Sequence, residues 1–476
     1  MSVSEPQQYD VIVIGAGAVG ENAADRVVKA GLTAALVESE LIGGECSYWA
    51  CMPSKALLRG TEILSEARAV PGAAEAVTGT QDAAKTLERR NRFASDWSDE
   101  GQANWVAGAG ISLFRGIGRL AGPKRVDVQG KDGGVTTLTA RHAVVASTGS
   151  HAMVPPIEGL AQARPWTSRE ATSAQAPPRR LIVIGGGVVG VEMATAWRAL
   201  GSEVVLLVRG DRLLKTVEPF ASDLVAQGLH DLGVDVRTRV GVDKVTRNGE
   251  VVTVFLGDET VEGDQVLVAT GRTSNTADLG LETVGLTPGE TLEVDDTCRV
   301  TAIAEGWLYA TGDVNGRRLL THMGKYQARA CGSAIAARAR GGHVDSSPWE
   351  LGSATADHRA TPGVIFSNPT VAFVGLTEEE ARNNGVNVRS VTYEMGDTAG
   401  GSLYADGYTG TAKIVVDEDT RRLVGATFAG PGIQELLHSA TVAIVGEITV
   451  DRLWHAVPSY PTISEVWLRL LETYGL

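Results

Sequence analysis

The chain has 476 residues, 43% hydrophobic and 21% charged, a globular balance with room for about three domains. Its net charge of −14 argues against nucleic acid or an anionic membrane surface as partner, though local basic patches can still hold phosphate. Four cysteines, Cys46, Cys51, Cys298 and Cys331, are too few for a disulfide-stapled secreted scaffold. With no signal-like opening and no apolar run near the roughly 18 residues of a membrane span, a cytoplasmic protein without a membrane partner is expected.

The first predicted elements are a buried strand over residues 9–14, the turn Gly15-Ala16-Gly17-Ala18-Val19-Gly20, a helix to Lys29, and a second strand over 32–37 ending at Glu38. In such a G-x-G-x-x-G turn the glycines permit the tight bend, the approach of a pyrophosphate and close helix–strand packing, while the helix N-terminus offers amides to phosphate. Glu38 lies 23 residues after Gly15, where a carboxylate accepts hydrogen bonds from ribose hydroxyls.

Next comes Gly43-Gly44-Glu45-Cys46-Ser47-Tyr48-Trp49-Ala50-Cys51-Met52-Pro53-Ser54-Lys55. A bridge between two cysteines needs Cα atoms within about 7 Å. Positions i and i+5 of an ideal helix lie roughly 8.6 Å apart, so a pair here requires a distorted turn or a loop. Pro53 suits the first turn of a following helix, which places Cys51 near its positive end, where a thiolate is favoured, and leaves Cys46 the more exposed. Taken alone, a C-x4-C reads first as two unpaired, half-buried cysteines, and the neighbouring motifs decide whether that reading stands. Helical segments are predicted near 52–70 and 80–105.

Pro-rich passages at Val154-Pro155-Pro156 and Ala176-Pro177-Pro178-Arg179-Arg180 bracket the entry to a second unit of the first design. It has a strand over 181–184, the turn Gly185-Gly186-Gly187-Val188-Val189-Gly190, a helix to Leu200 and a strand over 204–208. Two complete units imply two dinucleotides, or one dinucleotide and one decayed site. No acid ends the second unit's second strand; Arg209 follows it, with Lys215 six residues on. Cations at that place favour a 2′-phosphate, hence NADP(H) over NAD(H).

In this order and over nearly its whole length, the chain resembles the flavoprotein disulfide reductases, the family of glutathione reductase, dihydrolipoyl dehydrogenase and mercuric reductase. The stretch from Gly43 to Lys55 resembles their redox signature, with Gly44 at the cofactor. Ser147-Thr148-Gly149-Ser150 and Ala269-Thr270-Gly271-Arg272 resemble the turns closing the two nucleotide units. Ala310-Thr311-Gly312-Asp313 is similar to the second FAD motif, whose aspartate meets the ribityl chain. The run from Phe366 to Thr377 resembles the start of the dimerisation domain.

The resemblance implies FAD on the first unit, binding through Gly15, Gly17, Gly20, Glu38, Thr148, Gly149, Gly312 and Asp313. It implies NADPH on the second, through Gly185, Gly187, Gly190, Arg209, Lys215 and Gly271. Electrons would pass from NADPH through FAD to a Cys46–Cys51 disulfide, with Cys51 nearer the flavin and Cys46 the interchange thiol. Lys55 matches the family lysine beside the flavin and Glu192 its carboxylate partner. No resident metal is expected, and Cys298 and Cys331 read as structural.

Two departures bear on the electron acceptor. Where dithiol-reducing members carry His-Pro-Thr-x-x-Glu, this chain has Tyr460-Pro461-Thr462-Ile463-Ser464-Glu465. A phenol with an ordinary pKa near 10 is a poor base at neutral pH, although it can donate a proton. His455 is a loop histidine five residues upstream. Mercuric reductases also have a tyrosine there, but no cysteine follows Cys331 to supply their C-terminal pair. Tyr48 and Trp49 depart from the usual small residues between the cysteines. They read either as local core or as a flat acceptor surface suited to a quinone.

The fold expectation is α/β, with two Rossmann-like dinucleotide-binding domains and an α+β C-terminal dimerisation domain. Residues 1–155 form the FAD domain, 156–285 the NADP(H) domain, 286–352 a central segment completing the FAD site, and 353–476 the interface domain of a homodimer. The functional expectation is an NADPH-dependent flavin oxidoreductase passing electrons to a small disulfide, quinone or metal acceptor. The alternatives are an NAD-using dihydrolipoyl dehydrogenase and a non-catalytic, flavin-bound redox sensor.

Overall fold

The computed structural model describes residues 7–476. They fall into two compact units, one of residues 7–52, 91–151 and 272–357, the other of residues 53–90, 152–271 and 358–476.

The first unit is built on a sheet in which strand Gln7–Ile14 lies between Ala34–Glu38 and Val135–Ala146, all parallel. Ser112–Arg115 extends it parallel to Ala34–Glu38, and Leu308–Ala310 pairs parallel with the end of Val135–Ala146. The antiparallel strands Arg125–Gln129 and Ile117–Leu120 complete it. Val11, Ile12, Val13 and Ile14 are all buried, as expected for a strand covered on both faces. Val11 and Val13 join the core with Ala23, Val27, Ala328 and Ile335 of helices Ala18–Lys29 and Thr321–Ala339. Ile12 and Ile14 face a different core with Val126, Val144, Leu308 and Val314, the period-two alternation of a strand.

The second unit carries a four-stranded parallel sheet, ordered Asp235–Thr238, Glu203–Val208, Arg180–Ile184, Gln265–Val268. Helices Val188–Ala199 and Pro219–Asp231 share a core with it around Trp197, Leu206 and Val225. The antiparallel strands Lys244–Asn248, Val251–Leu256 and Glu259–Gly263 contribute to the opposite core. A five-stranded antiparallel sheet follows, ordered Pro362–Ile365, Thr370–Gly375, Arg422–Gly430, Thr411–Asp417, Val388–Glu394. The fold class is therefore the expected one.

The helix predicted near 52–70 is Cys51–Arg68. The one predicted near 80–105 is broken into Ala83–Phe93, the short turn Ser95–Trp97 and Glu100–Gly108. Ser95, Asp96 and Trp97 all have positive φ, near +50°, and a right-handed helix cannot run through them. Among the described residues no helix is long and apolar enough to cross a membrane.

Candidate functional site

In the first unit, strand Gln7–Ile14 ends at Gly15, whose φ of +96° suits glycine and where a Cβ would lie 2.4 Å from the Ser147 carbonyl oxygen. A Cβ on Gly20 would lie 1.9 Å from the Gly15 oxygen, so the helix packs on the turn at a distance only glycine allows. A Cβ on Gly17 would meet nothing within 4 Å. It would project into open space at the N-terminus of helix Ala18–Lys29, where free amides attract phosphate. Glu38 closes the turn, accepting from the amides of Ala16 and Glu40 at 2.7 Å each. Its burial raises its pKa despite these bonds.

The two later FAD motifs meet in the same unit. The hydroxyls of Ser147 and Thr311 lie 2.8 Å apart, and Ser150 donates to Asp313 at 2.5 Å. Arg272 stands 3.7 Å from the Asp313 carboxylate. Gly312, at φ +79°, is held through its amide by the Gln327 side chain at 2.8 Å, while Thr148 donates to the Asn275 carbonyl. An open cradle over a helix N-terminus, a carboxylate at the end of the second strand and a further turn carrying Asp313 fit an extended FAD.

The cysteine segment sits directly on this turn. Gly43 donates its amide to the Ala16 carbonyl at 2.8 Å, and a Cβ on Gly44 would lie 2.8 Å from the Gly17 Cα. Helix Gly44–Tyr48 carries Cys46 and stops at Trp49, whose φ of −138° leaves the helical region; helix Cys51–Arg68 then begins. The interruption is the distorted turn that a C-x4-C pair requires, and it brings the Cys51 thiol to hydrogen-bonding reach of Cys46. Neither cysteine is in a disulfide, and both are half-buried. The neighbouring Cys51, and then burial, push the Cys46 thiol well above its ordinary pKa, against the pull of Thr321 and Lys325. Thr321, at the start of its helix, places its hydroxyl 3.3 Å from the Cys51 sulfur.

Tyr48 is wholly buried, its hydroxyl donating to the carbonyls of Ile42 at 3.0 Å and Ser98 at 3.3 Å, with its ring against Trp49. Of the two sequence readings, local core is the one Tyr48 meets. An acceptor surface retains at most the half-buried Trp49.

In the second unit, Lys55 and Glu192 form an ion pair at 2.7 Å, with Glu192 almost fully buried. The second Glu192 oxygen accepts from the Phe366 amide at 3.1 Å. The second Gly-rich turn repeats the first. Gly185 has φ +119°, a Cβ on Gly190 would lie 1.9 Å from the Gly185 oxygen, and one on Gly187 would meet nothing within 4 Å. Gly271, at φ +145°, follows strand Gln265–Val268. Arg209 and Lys215 are exposed after strand Glu203–Val208, Lys215 lying 3.4 Å from Asp211. Arg239, which the sequence reading did not single out, joins this end of the sheet: it follows the paired strand Asp235–Thr238, and its amide donates to the Gly210 carbonyl at 2.7 Å.

Tyr460 is 77% exposed, in a stretch with exposed His455 and with Val457 at 84%. Glu465 is buried and engaged, accepting from the Ala399 amide at 3.1 Å and from Arg469 at 2.8 Å. Its carboxylate is thus committed to local structure. Cys298 and Cys331 are fully buried in the core of the first unit, as structural cysteines should be.

A family model described as pyridine nucleotide-disulphide oxidoreductase matches residues 9–340, and the dimerisation-domain model of that name matches 361–470. A mercuric reductase of Staphylococcus aureus is 31% identical over 462 residues, 96% of this chain and 81% of its own length. A dihydrolipoyl dehydrogenase of Chlamydia pneumoniae is 30% identical over 468 residues, 97% of this chain and 96% of its own. LpdA from Mycobacterium tuberculosis has a similar structure, with a TM-score of 0.83 at 25% identity, covering 99% of this chain and all of its own.

Proposed function

The chain belongs to the pyridine nucleotide-disulphide oxidoreductase family of flavin-dependent enzymes, and from that premise we propose that it is an NADPH-dependent reductase turning over through a Cys46–Cys51 disulfide. The observation that carries this reading is the docking of the cysteine segment on the first Gly-rich turn, Gly43 amide to Ala16 carbonyl. Family members use FAD and a pyridine nucleotide. FAD on the first turn supplies two-electron exchange between a nicotinamide and a disulfide.

The chain's own residues set the terms. Gly17 and Gly187 leave room for two pyrophosphates, and Glu38 would engage a ribose and Asp313 the ribityl chain. Arg209, Lys215 and Arg239 would meet the 2′-phosphate that distinguishes NADPH, which argues against the NAD-using dihydrolipoyl dehydrogenase reading. Lys55 holds a positive charge that Glu192 keeps in place. Thr321 holds a hydrogen-bonding hydroxyl on Cys51.

With a disulfide acceptor, Cys46 attacks one sulfur, forming a mixed disulfide and releasing one thiol. Cys51 then attacks Cys46, restoring the internal disulfide and releasing the second thiol. Neutral Cys46 must lose a proton before attacking, and Tyr460 of a second subunit is suited to returning a proton to the leaving thiolate. The exposed stretch around Val457 and Tyr460 belongs to the interface of that homodimer. In this reading residues 1–155, 156–285, 286–352 and 353–476 are the FAD, NADP(H), central and interface domains. Glu465 shapes the loop carrying Tyr460 through its bonds to Ala399 and Arg469.

The acceptor is a small disulfide, a quinone or a thiophilic metal ion. Steady-state assay of the purified flavoprotein with NADPH against oxidised glutathione, lipoamide, mercuric ion and naphthoquinones identifies the class. An acceptor that depends on the pair loses turnover in Cys46→Ser. Undiminished turnover of every acceptor by that variant contradicts the reading.

A further inference from the structure

The Lys55–Glu192 pair has a third member. The Lys55 Nζ lies 5.0 Å from the centroid of the Phe366 ring, within the range of a cation–π contact. The amide of the same residue donates to the Glu192 oxygen that Lys55 leaves free, at 3.1 Å. One residue therefore touches both charges, the cation through its ring and the anion through its backbone.

Phe366 is itself held firmly. It follows strand Pro362–Ile365 in the loop leading to Thr370–Gly375. Asn368 ties this loop to helix Cys51–Arg68 by donating to the Ser65 hydroxyl at 3.1 Å, and Ser367 donates across the loop to the Pro369 carbonyl at 2.7 Å. On its other side helix Pro219–Asp231 approaches so closely that a Cβ on Gly228 would lie 1.9 Å from the Asn368 oxygen. Glu192 is buried and bonded twice, whereas the Lys55 side chain is 34% exposed. The lysine has rotamer freedom to lose, and the ring supplies a directional hold that one ion pair lacks.

We propose that Phe366 is a positioning residue that clamps the Lys55 ammonium over its ring face while its amide fixes Glu192. The inference rests on the reading of Lys55 and Glu192 as the charged pair beside the flavin. Phe366→Leu removes the ring face and keeps both the amide and an apolar side chain; Phe366→Tyr keeps the face.

Two measurements on the holoenzyme test it. The first is NMR of protein labelled with 13Cε-lysine, the Lys55 signal being assigned by its loss in Lys55→Arg. The ring current should move the Lys55 ε-protons upfield of the other lysines, Phe366→Leu should abolish that shift, and Phe366→Tyr should retain it. An ordinary Lys55 shift in the parent protein overturns the clamp, even if Phe366→Leu does not fold.

The second is stopped-flow reduction of the flavin at saturating NADPH. Phe366→Leu should slow it about fivefold, a size a cation–π contact supports, with the half-saturating NADPH concentration unchanged within twofold. In a Lys55→Met background the same change should add nothing, and an equal loss in both backgrounds assigns the effect to packing and overturns the proposal. If Lys55→Met alone leaves flavin reduction intact, the role of Lys55 itself falls, a result distinguishable from failure of the clamp.

Discussion

The two Gly-rich turns are the same backbone device with opposite charge at its far end. Gly15 and Gly185 both take positive φ, and Gly20 and Gly190 both sit where a Cβ would lie 1.9 Å from a carbonyl oxygen five residues earlier. Beyond that the turns part. The first ends in Glu38, bonded to the turn's Ala16 amide; the second ends in Arg209, Lys215 and Arg239. They differ again one residue past the third glycine, where the first has Glu21 and the second the fully buried Val191. Sterics make the cradle in both, and in the proposed function charge is what would tell one ribose from the other.

The largest effects should come from breaking the shared device. Gly20→Val should give a protein without flavin absorbance, and Gly190→Val a yellow protein whose flavin NADPH no longer reduces, kcat/KM falling by about 100-fold or more. Absorbance spectra and stopped-flow reduction separate the two, and equal damage to both functions by either variant would show the turns are not independent cradles. Next in size is charge at the second turn. Arg209→Glu should lower kcat/KM for NADPH by about 50-fold and raise that for NADH, as steady-state kinetics with both cofactors would show. Glu38→Gln should be smaller, weakening FAD about tenfold by equilibrium dialysis, because the amide cannot replace a charged acceptor.

The smallest effect concerns Glu21, whose Oε1 is buried with no hydrogen-bond partner. Burial raises its pKa to about 7, with Lys325 pulling down and Glu38 pushing up. The folded state thus holds a proton that the unfolded chain releases near pH 4.5, so this site costs stability as pH rises from about 4.5 to 7. Glu21→Gln should therefore stabilise by about 1–3 kcal/mol at pH 8 and by almost nothing at pH 4, as thermal unfolding at the two pH values would show. A gain equal at both would mean the residue does not titrate in this range.

What was legible in the sequence follows linear patterns. Both Gly-rich units rest on periodicity and glycine placement and the helix beginning near Cys51 on Pro53, which sequence displays directly, while the dimerisation domain came from the family resemblance. Thr321 on Cys51, Arg239 beside Gly210 and Phe366 on Lys55 were not legible, because each is brought in by strand pairing or helix packing from a distant segment. The break at Ser95–Trp97 was missed because none of its three residues is a glycine. Tyr48 could be read two ways because an aromatic beside a cysteine fits a core and a pocket equally until its hydroxyl partners are known.

The central claim, that Cys46 and Cys51 take up electrons delivered through the first cradle, is met most directly by anaerobic rapid mixing of the holoenzyme with one equivalent of NADPH. The account expects flavin absorbance to bleach and recover while a long-wavelength band from the Cys51 thiolate appears. That band should survive in Cys46→Ser and vanish in Cys51→Ser. Flavin that stays reduced after one equivalent, with no such band and with both variants behaving as the parent, would contradict it.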